Sequence, residues 1–93
     1  MNTLRNHKRK PTHPGMIIRE DILPHLKVTQ RELAQSLGMS RHTVSGIIHE
    51  KRSVTAEMAI RISIALGGSP ESWLRMQGAL DLWKAQQKNR QAT

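Results

Sequence analysis

Between Thr29 and Glu50 the chain spells two short helices with almost nothing between them. Thr29 and Glu32 form a Thr-x-x-Glu capping box, in which each side chain satisfies the other residue's backbone donor. Val28 and Leu33 supply a hydrophobic staple, Leu33, Ala34 and Leu37 make an inward face, and Gly38 stops the helix. Ser40 then caps a second helix, with Met39 and Val44 as its staple. Two helices joined by so tight a glycine turn cannot lie antiparallel. They must cross steeply, and the rest of the fold has to close around that crossing.

The second of these helices divides cleanly. Val44, Ile47 and Ile48 point inward, while Arg41, His42 and Ser45 fall on the outer side. This is the pattern of a helix-turn-helix, whose second helix enters the DNA major groove and reads base edges from its N-terminal end. Arg41 is placed to bridge guanine O6 and N7, with His42 and Ser45 as secondary base contacts. Gln30, Ser40 and Thr43, near helix N-termini, suit phosphate oxygens, and Lys51 and Arg52 suit the flanking backbone. Gly46 sits inside the helix at a cost of about 0.5 to 1 kcal/mol relative to Ala, which suggests a close backbone approach there. A polar outer face is also what any solvated helix shows; the doubled caps, the Gly38 turn and the charge balance together favour DNA reading.

Charge supports that expectation. Fifteen Lys and Arg against seven Asp and Glu give a net +8 with His neutral, and such a balance favours a polyanionic partner through counterion release. The 93 residues suit one domain, and an apolar fraction of 37% without Phe or Tyr points to a core of Leu, Ile, Val, Met and Ala in an all-α fold. Residues 1–12, with Arg5, Lys8, Arg9 and Lys10, are expected as a flexible basic arm. The domain is expected over 13–88, with a disordered tail over 89–93.

Five helices are expected. The first opens at His13-Pro14-Gly15 and runs through Met16, Ile17, Ile18, Ile22 and Leu23 to a stop at Pro24. The two central helices follow. The fourth is capped by Thr55, carries an apolar face of Met58, Ala59, Ile62, Ile64 and Leu66, and ends at Gly67-Gly68. The fifth starts at Ser69-Pro70 and carries Trp73, Met76, Leu80 and Trp83 as one stripe, widened by Leu74 and Leu82. Trp73 belongs to the core. Leu80, Leu82 and Trp83 are expected to be covered by a second copy in a two-fold dimer, with two recognition helices about 34 Å apart.

Other classes find little support. With no Cys and no HExxH or H-x-x-x-H spacing, neither disulfides, a metal site nor a cofactor is expected. His42 and His49 are seven apart and share a face, but no acid lies between them. No segment suggests a signal or membrane span, so a cytoplasmic protein without catalytic activity is the expectation.

The motif TQRELAQSLGMSRHTVSGI resembles the helix-turn-helix of XRE-type, lambda-repressor-like domains. HPGMIIRED at 13–21 and EKRSVTAEMAIRISIALGGSPESWLRMQGALDLWKA at 50–85 resemble the HigA/VapI branch of antitoxins, and the likeness spans about residues 13–85. The resemblance implies a five-helix lambda-repressor-like domain that binds palindromic operator DNA as a homodimer, represses its own toxin–antitoxin operon and neutralises a RelE/HigB-like mRNA endonuclease. By position it implies Gln30, Ser40, Arg41, His42, Thr43 and Ser45 as the DNA-facing set. Two departures stand out. His49-Glu50-Lys51 replaces a frequent Asn-Gly-Lys turn and sets an acid where phosphates are expected, and Gly46 stands where relatives can carry a base-contacting side chain. The alternatives are a stand-alone XRE-type repressor without a toxin, and a protein-only toxin inhibitor, against which the positive charge argues.

Overall fold

The computed structural model describes residues 9–92, with side chains described to Asn89; most of the basic arm expected over 1–12 lies outside the described residues. Five helical elements follow, and no strand occurs among the described residues. α1 comprises an α-helical turn Pro14–Ile17, a π-helical turn Ile18–Ile22 and a second α-helical turn Leu23–Leu26. α2 spans Gln30–Leu37, α3 Arg41–Ile48, α4 Ala56–Leu66 and α5 Pro70–Ala92. None of these helices is long and apolar enough to cross a membrane.

The expected stop at Pro24 is wrong. A proline nitrogen cannot donate to the carbonyl four residues back, and its ring crowds that carbonyl. Here the π-helical turn just before it loosens the backbone where the clash would fall. The helical path continues to Lys27, whose left-handed conformation (φ 57°) closes it, with its N–H on the Leu23 carbonyl at 3.0 Å.

The local start signals work as read. Thr29 and Glu32 exchange both bonds of the capping box, and Ser40, Thr55 and Ser69 accept from the backbone N–H three residues on. Gly38 ends α2 at φ 67°, a conformation that costs other residues about 1 kcal/mol or more. The turn is also held from outside: Arg61 of α4 donates to the carbonyls of Leu37 and Gly38 at 3.2 and 3.0 Å, and pairs with Glu57 at 3.0 Å. Those carbonyls are among the orphans a helix end leaves without intrahelical partners.

The core draws on every helix, from Ile18 in α1 through Leu33 and Leu37, Val44, Ile47 and Ile48, Ala59 and Ile62 to Trp73 in α5. An eight-residue helix such as α3 is marginal in isolation. Its three buried anchors, at about 1.5 to 3 kcal/mol each, hold it against the rest instead. Trp73 is core as expected, and its indole N–H donates to the Gly67 carbonyl at 3.0 Å.

Two apolar assignments need correction. Ile64 is 81% exposed: at about 100° per residue it lies far around the helix from Ile62, so it cannot share that face. Leu80 is fully buried within its own chain, and a residue with no free surface cannot contribute to a dimer interface. Leu82, by contrast, is 60% exposed, and Trp83 is half-buried. α5 continues to Ala92, past the boundary drawn at Lys88.

α1 is pressed onto the end of α3. A Cβ at Gly15 would overlap the carbonyl oxygen of Ile47. His13, also buried, is the N-cap of α1: Nδ1 accepts the Gly15 N–H at 2.9 Å, so the ring proton must sit on Nε2, which donates to the Arg52 carbonyl at 3.0 Å. Burial pushes the imidazole below its ordinary value, assisted by Lys84 and opposed by the Arg52 carbonyl, Glu50 and Asp81. Above the free-histidine value of 6.5, folded and unfolded chains both carry it neutral, and its stabilisation is complete. Below that value the unfolded chain binds a proton that the folded chain refuses, so stability falls until the folded-state value is passed. Melting temperature should therefore drop as pH is lowered from about 7.5 to about 5, and His13→Asn should flatten that part of the profile.

Candidate nucleic-acid interface

The outward side of α3 carries the residues expected there. Arg41 and His42 are exposed, and neither side chain has a hydrogen-bond or ion-pair partner among the described residues. Unpaired donors at the N-terminal end of a helix whose other face is buried are free to meet an external acceptor. Ser45, one turn beyond Arg41, is half-buried.

A shallow groove runs from α3 to the loop after it, lined by His42, Ser45, Gly46, His49, Lys51 and Arg52. Lys51 and Arg52 bring positive charge to it, and His42 and His49 bring imidazole nitrogens. His49 belongs to this wall although it was not among the expected contacts. Its Nδ1–H donates to the Ser45 carbonyl at 2.8 Å, which leaves Nε2 turned to other partners. The seven-residue spacing from His42 is the sequence signal for it, since it sets both imidazoles on one side of α3.

Phosphate-type donors lie beside the groove. Thr43 Oγ1 accepts from Ser40 Oγ at 2.9 Å and from Arg52 Nη1 at 3.3 Å, so its own hydroxyl proton remains to be donated. Ser40 is different: its oxygen accepts the Thr43 N–H and its proton goes to Thr43, so it acts by ordering its neighbours. Gln30, half-buried, opens α2, while Lys51 and Arg52 are exposed in the loop after α3. The space left by Gly46 is taken by the Arg52 stem, whose Cδ and Cγ lie 2.8 and 2.9 Å from where a Cβ would stand. The close backbone approach expected at this glycine is therefore corrected: what fills the space is a side chain.

Glu50 does not face this groove as an unpaired acid. Its backbone is left-handed (φ 62°), a conformation glycine adopts more readily than glutamate. Its carboxylate turns toward α1 and pairs with Arg19 at 3.2 Å, while Arg19 also donates to the Ile48 carbonyl at 2.6 Å. The same guanidinium pairs with Glu20 at 3.2 Å, so one arginine is shared between two acids while it satisfies the last carbonyl of α3.

A helix-turn-helix family model matches residues 18–74. Antitoxin HigA-1 of Vibrio cholerae is 39% identical over 80 residues, covering 86% of this chain and 75% of that protein. The chain belongs to the HigA-like branch of the XRE-type helix-turn-helix family. Among solved structures, Pseudomonas aeruginosa antitoxin HigA with the higBA promoter superposes with a TM-score of 0.83 at 32% identity, covering 89% of this chain and 90% of that one. Antitoxin GraA in complex with its operator gives a TM-score of 0.82 at 40% identity, covering 96% and 89%. The lambda-repressor-like fold expected from the sequence is the fold of this HigA-like chain.

Proposed function

We propose that this HigA-like chain is a dimeric operator-binding repressor and the antitoxin of a RelE-type mRNA endonuclease. The observation that carries the reading is the outward end of α3, where Arg41 and His42 stand exposed and unpartnered above a basic groove. Arg41 bridges a guanine, and His42 and Ser45 add base contacts. Thr43, Gln30, Lys51 and Arg52 hold phosphates, with Ser40 acting through Thr43. The operator-bound structures of HigA and GraA support carrying this role to a chain of the same fold.

Geometry and apolar surface support the dimeric reading. One domain reaches one half-site, and a two-fold pair reaches two successive major grooves. Leu82 and Trp83 on α5 are the side chains a second copy covers, Leu82 being large, apolar and mostly in solvent. With Leu80 inside the chain, the interface is smaller on α5 than the sequence suggested.

Two measurements test the two halves of the role. Fluorescence anisotropy with the DNA upstream of the gene should show binding at least about a thousandfold tighter than to scrambled duplex. Co-expression with a neighbouring RelE-like reading frame should restore growth and yield a stable complex. Equal affinity for both duplexes would refute the repressor role; growth arrest despite co-expression would refute the antitoxin role.

A further inference from the structure

We propose that His13 and Gln77, neither of which faces the groove, are positioning residues that fix the loop bearing Lys51 and Arg52 in the pose that meets DNA phosphates. The proposal rests on the DNA-binding reading above and names how that site is kept in order. The loop begins with the N–H groups of Lys51 and Arg52 both on the Gly46 carbonyl, at 2.8 and 3.1 Å. It is then gripped from two other helices. The His13 Nε2–H of α1 holds the Arg52 carbonyl at 3.0 Å. Gln77 of α5, 4% exposed, accepts the Val54 N–H on Oε1 at 2.8 Å.

Neither grip can slide. The Gly15 N–H on Nδ1 fixes the tautomer of His13. A backbone donor facing Gln77 fixes which end of its amide is the oxygen, and Nε2 is taken by Asp81 at 2.9 Å. Arg52 is thereby held at its N–H, its carbonyl and, through Thr43, its guanidinium. Both lysine and arginine are otherwise long, exposed side chains on a loop. Holding their backbone before binding removes an ordering cost that would otherwise be met on the DNA. Two buried polar side chains thus transmit the pose of α1 and α5 to a loop that reads no base.

The test is His13→Asn, measured by anisotropy on operator and on scrambled duplex across a salt series. Asparagine keeps an oxygen to cap Gly15 but has nothing to reach Arg52. We expect about tenfold weaker binding to both duplexes and a log K against log salt slope shallower by about one, the signature of a lost phosphate contact. The ratio between duplexes should stay as in the wild type, since Arg41 and His42 are untouched. In a Lys51→Ala/Arg52→Ala background the same substitution should change affinity less than about twofold, because the contacts it supports are already gone. Gln77→Leu reaches the loop from the other side and should give the same slope change, which keeps the test open should His13→Asn fold poorly. An unchanged slope, or a loss fully additive with Lys51→Ala/Arg52→Ala, overturns the proposal. A wild type without operator preference would instead sink the sequence-reading role, while the slope comparison on scrambled duplex still decides the positioning.

Discussion

Gly15→Ala is expected to lower the melting temperature by about 12 to 24 °C, against what helix propensity alone predicts. Gly15 lies in the first turn of α1, where alanine would normally gain about 0.5 to 1 kcal/mol. Here the added methyl would overlap the Ile47 carbonyl oxygen, a backbone atom of α3 that cannot rotate out of the way. Relief requires moving α1 off α3. That motion also stretches the bonds from His13 to the Arg52 carbonyl and from Arg19 to the Ile48 carbonyl. Overpacking of a tight contact costs about 1 to 3 kcal/mol and sometimes more, and this contact belongs at the upper end. About 3 kcal/mol corresponds to that drop in a domain of this size. Thermal denaturation followed by circular dichroism measures it; a melting temperature equal to or above the wild type would show that α1 and α3 are not in contact at this point.

Arg41→Ala should leave folding almost untouched and remove most of the operator preference. The side chain is exposed and without a partner among the described residues, so truncation should change stability by no more than about 0.5 kcal/mol. A good bidentate arginine–guanine pair discriminates by about 1 to 3 kcal/mol, or about 5- to 150-fold per half-site. Two copies double the logarithm of that loss. Anisotropy on operator and scrambled duplexes should therefore show the preference collapsing, while binding to scrambled DNA falls only slightly. An equal fall on both duplexes would reassign Arg41 to phosphate.

What could be read in the sequence was local. Caps at Thr29, Ser40, Thr55 and Ser69 act within three residues of themselves, so their chemistry is visible in a short window. The in-out division of α3 follows from its period, and Gly38 from the conformation that its turn demands. The errors came where position in space decides. Leu80 and Leu82 look alike along the chain, yet one is buried and the other is solvent-facing. Ile64 differs: two residues along a helix place it on another side from Ile62, a difference the helical period itself carries. Pro24 reads as a stop along the chain because a π-helical turn has no simple sequence mark.

The residues that organise the interface were the least visible. His13 meets a carbonyl 39 residues away, Arg19 one 29 away, and Gln77 an N–H 23 away. Their partners are backbone atoms, which every residue has, so no pattern of side chains announces the pairing. Arg61 is the same case, a helix residue spent on the Leu37 and Gly38 carbonyls that shape the turn. Glu50 is the converse case: along the chain its acid looks free to repel phosphate, whereas in the fold it pairs with Arg19 of α1.

The most direct test of the central claim is methylation interference on the DNA upstream of the gene. If two copies of α3 present Arg41 to successive major grooves, methyl groups on guanine N7 should abolish binding at two symmetry-related positions about 10 base pairs apart. Both positions should become insensitive with Arg41→Ala. Interference at one position alone, or an identical pattern with and without Arg41, would contradict the account.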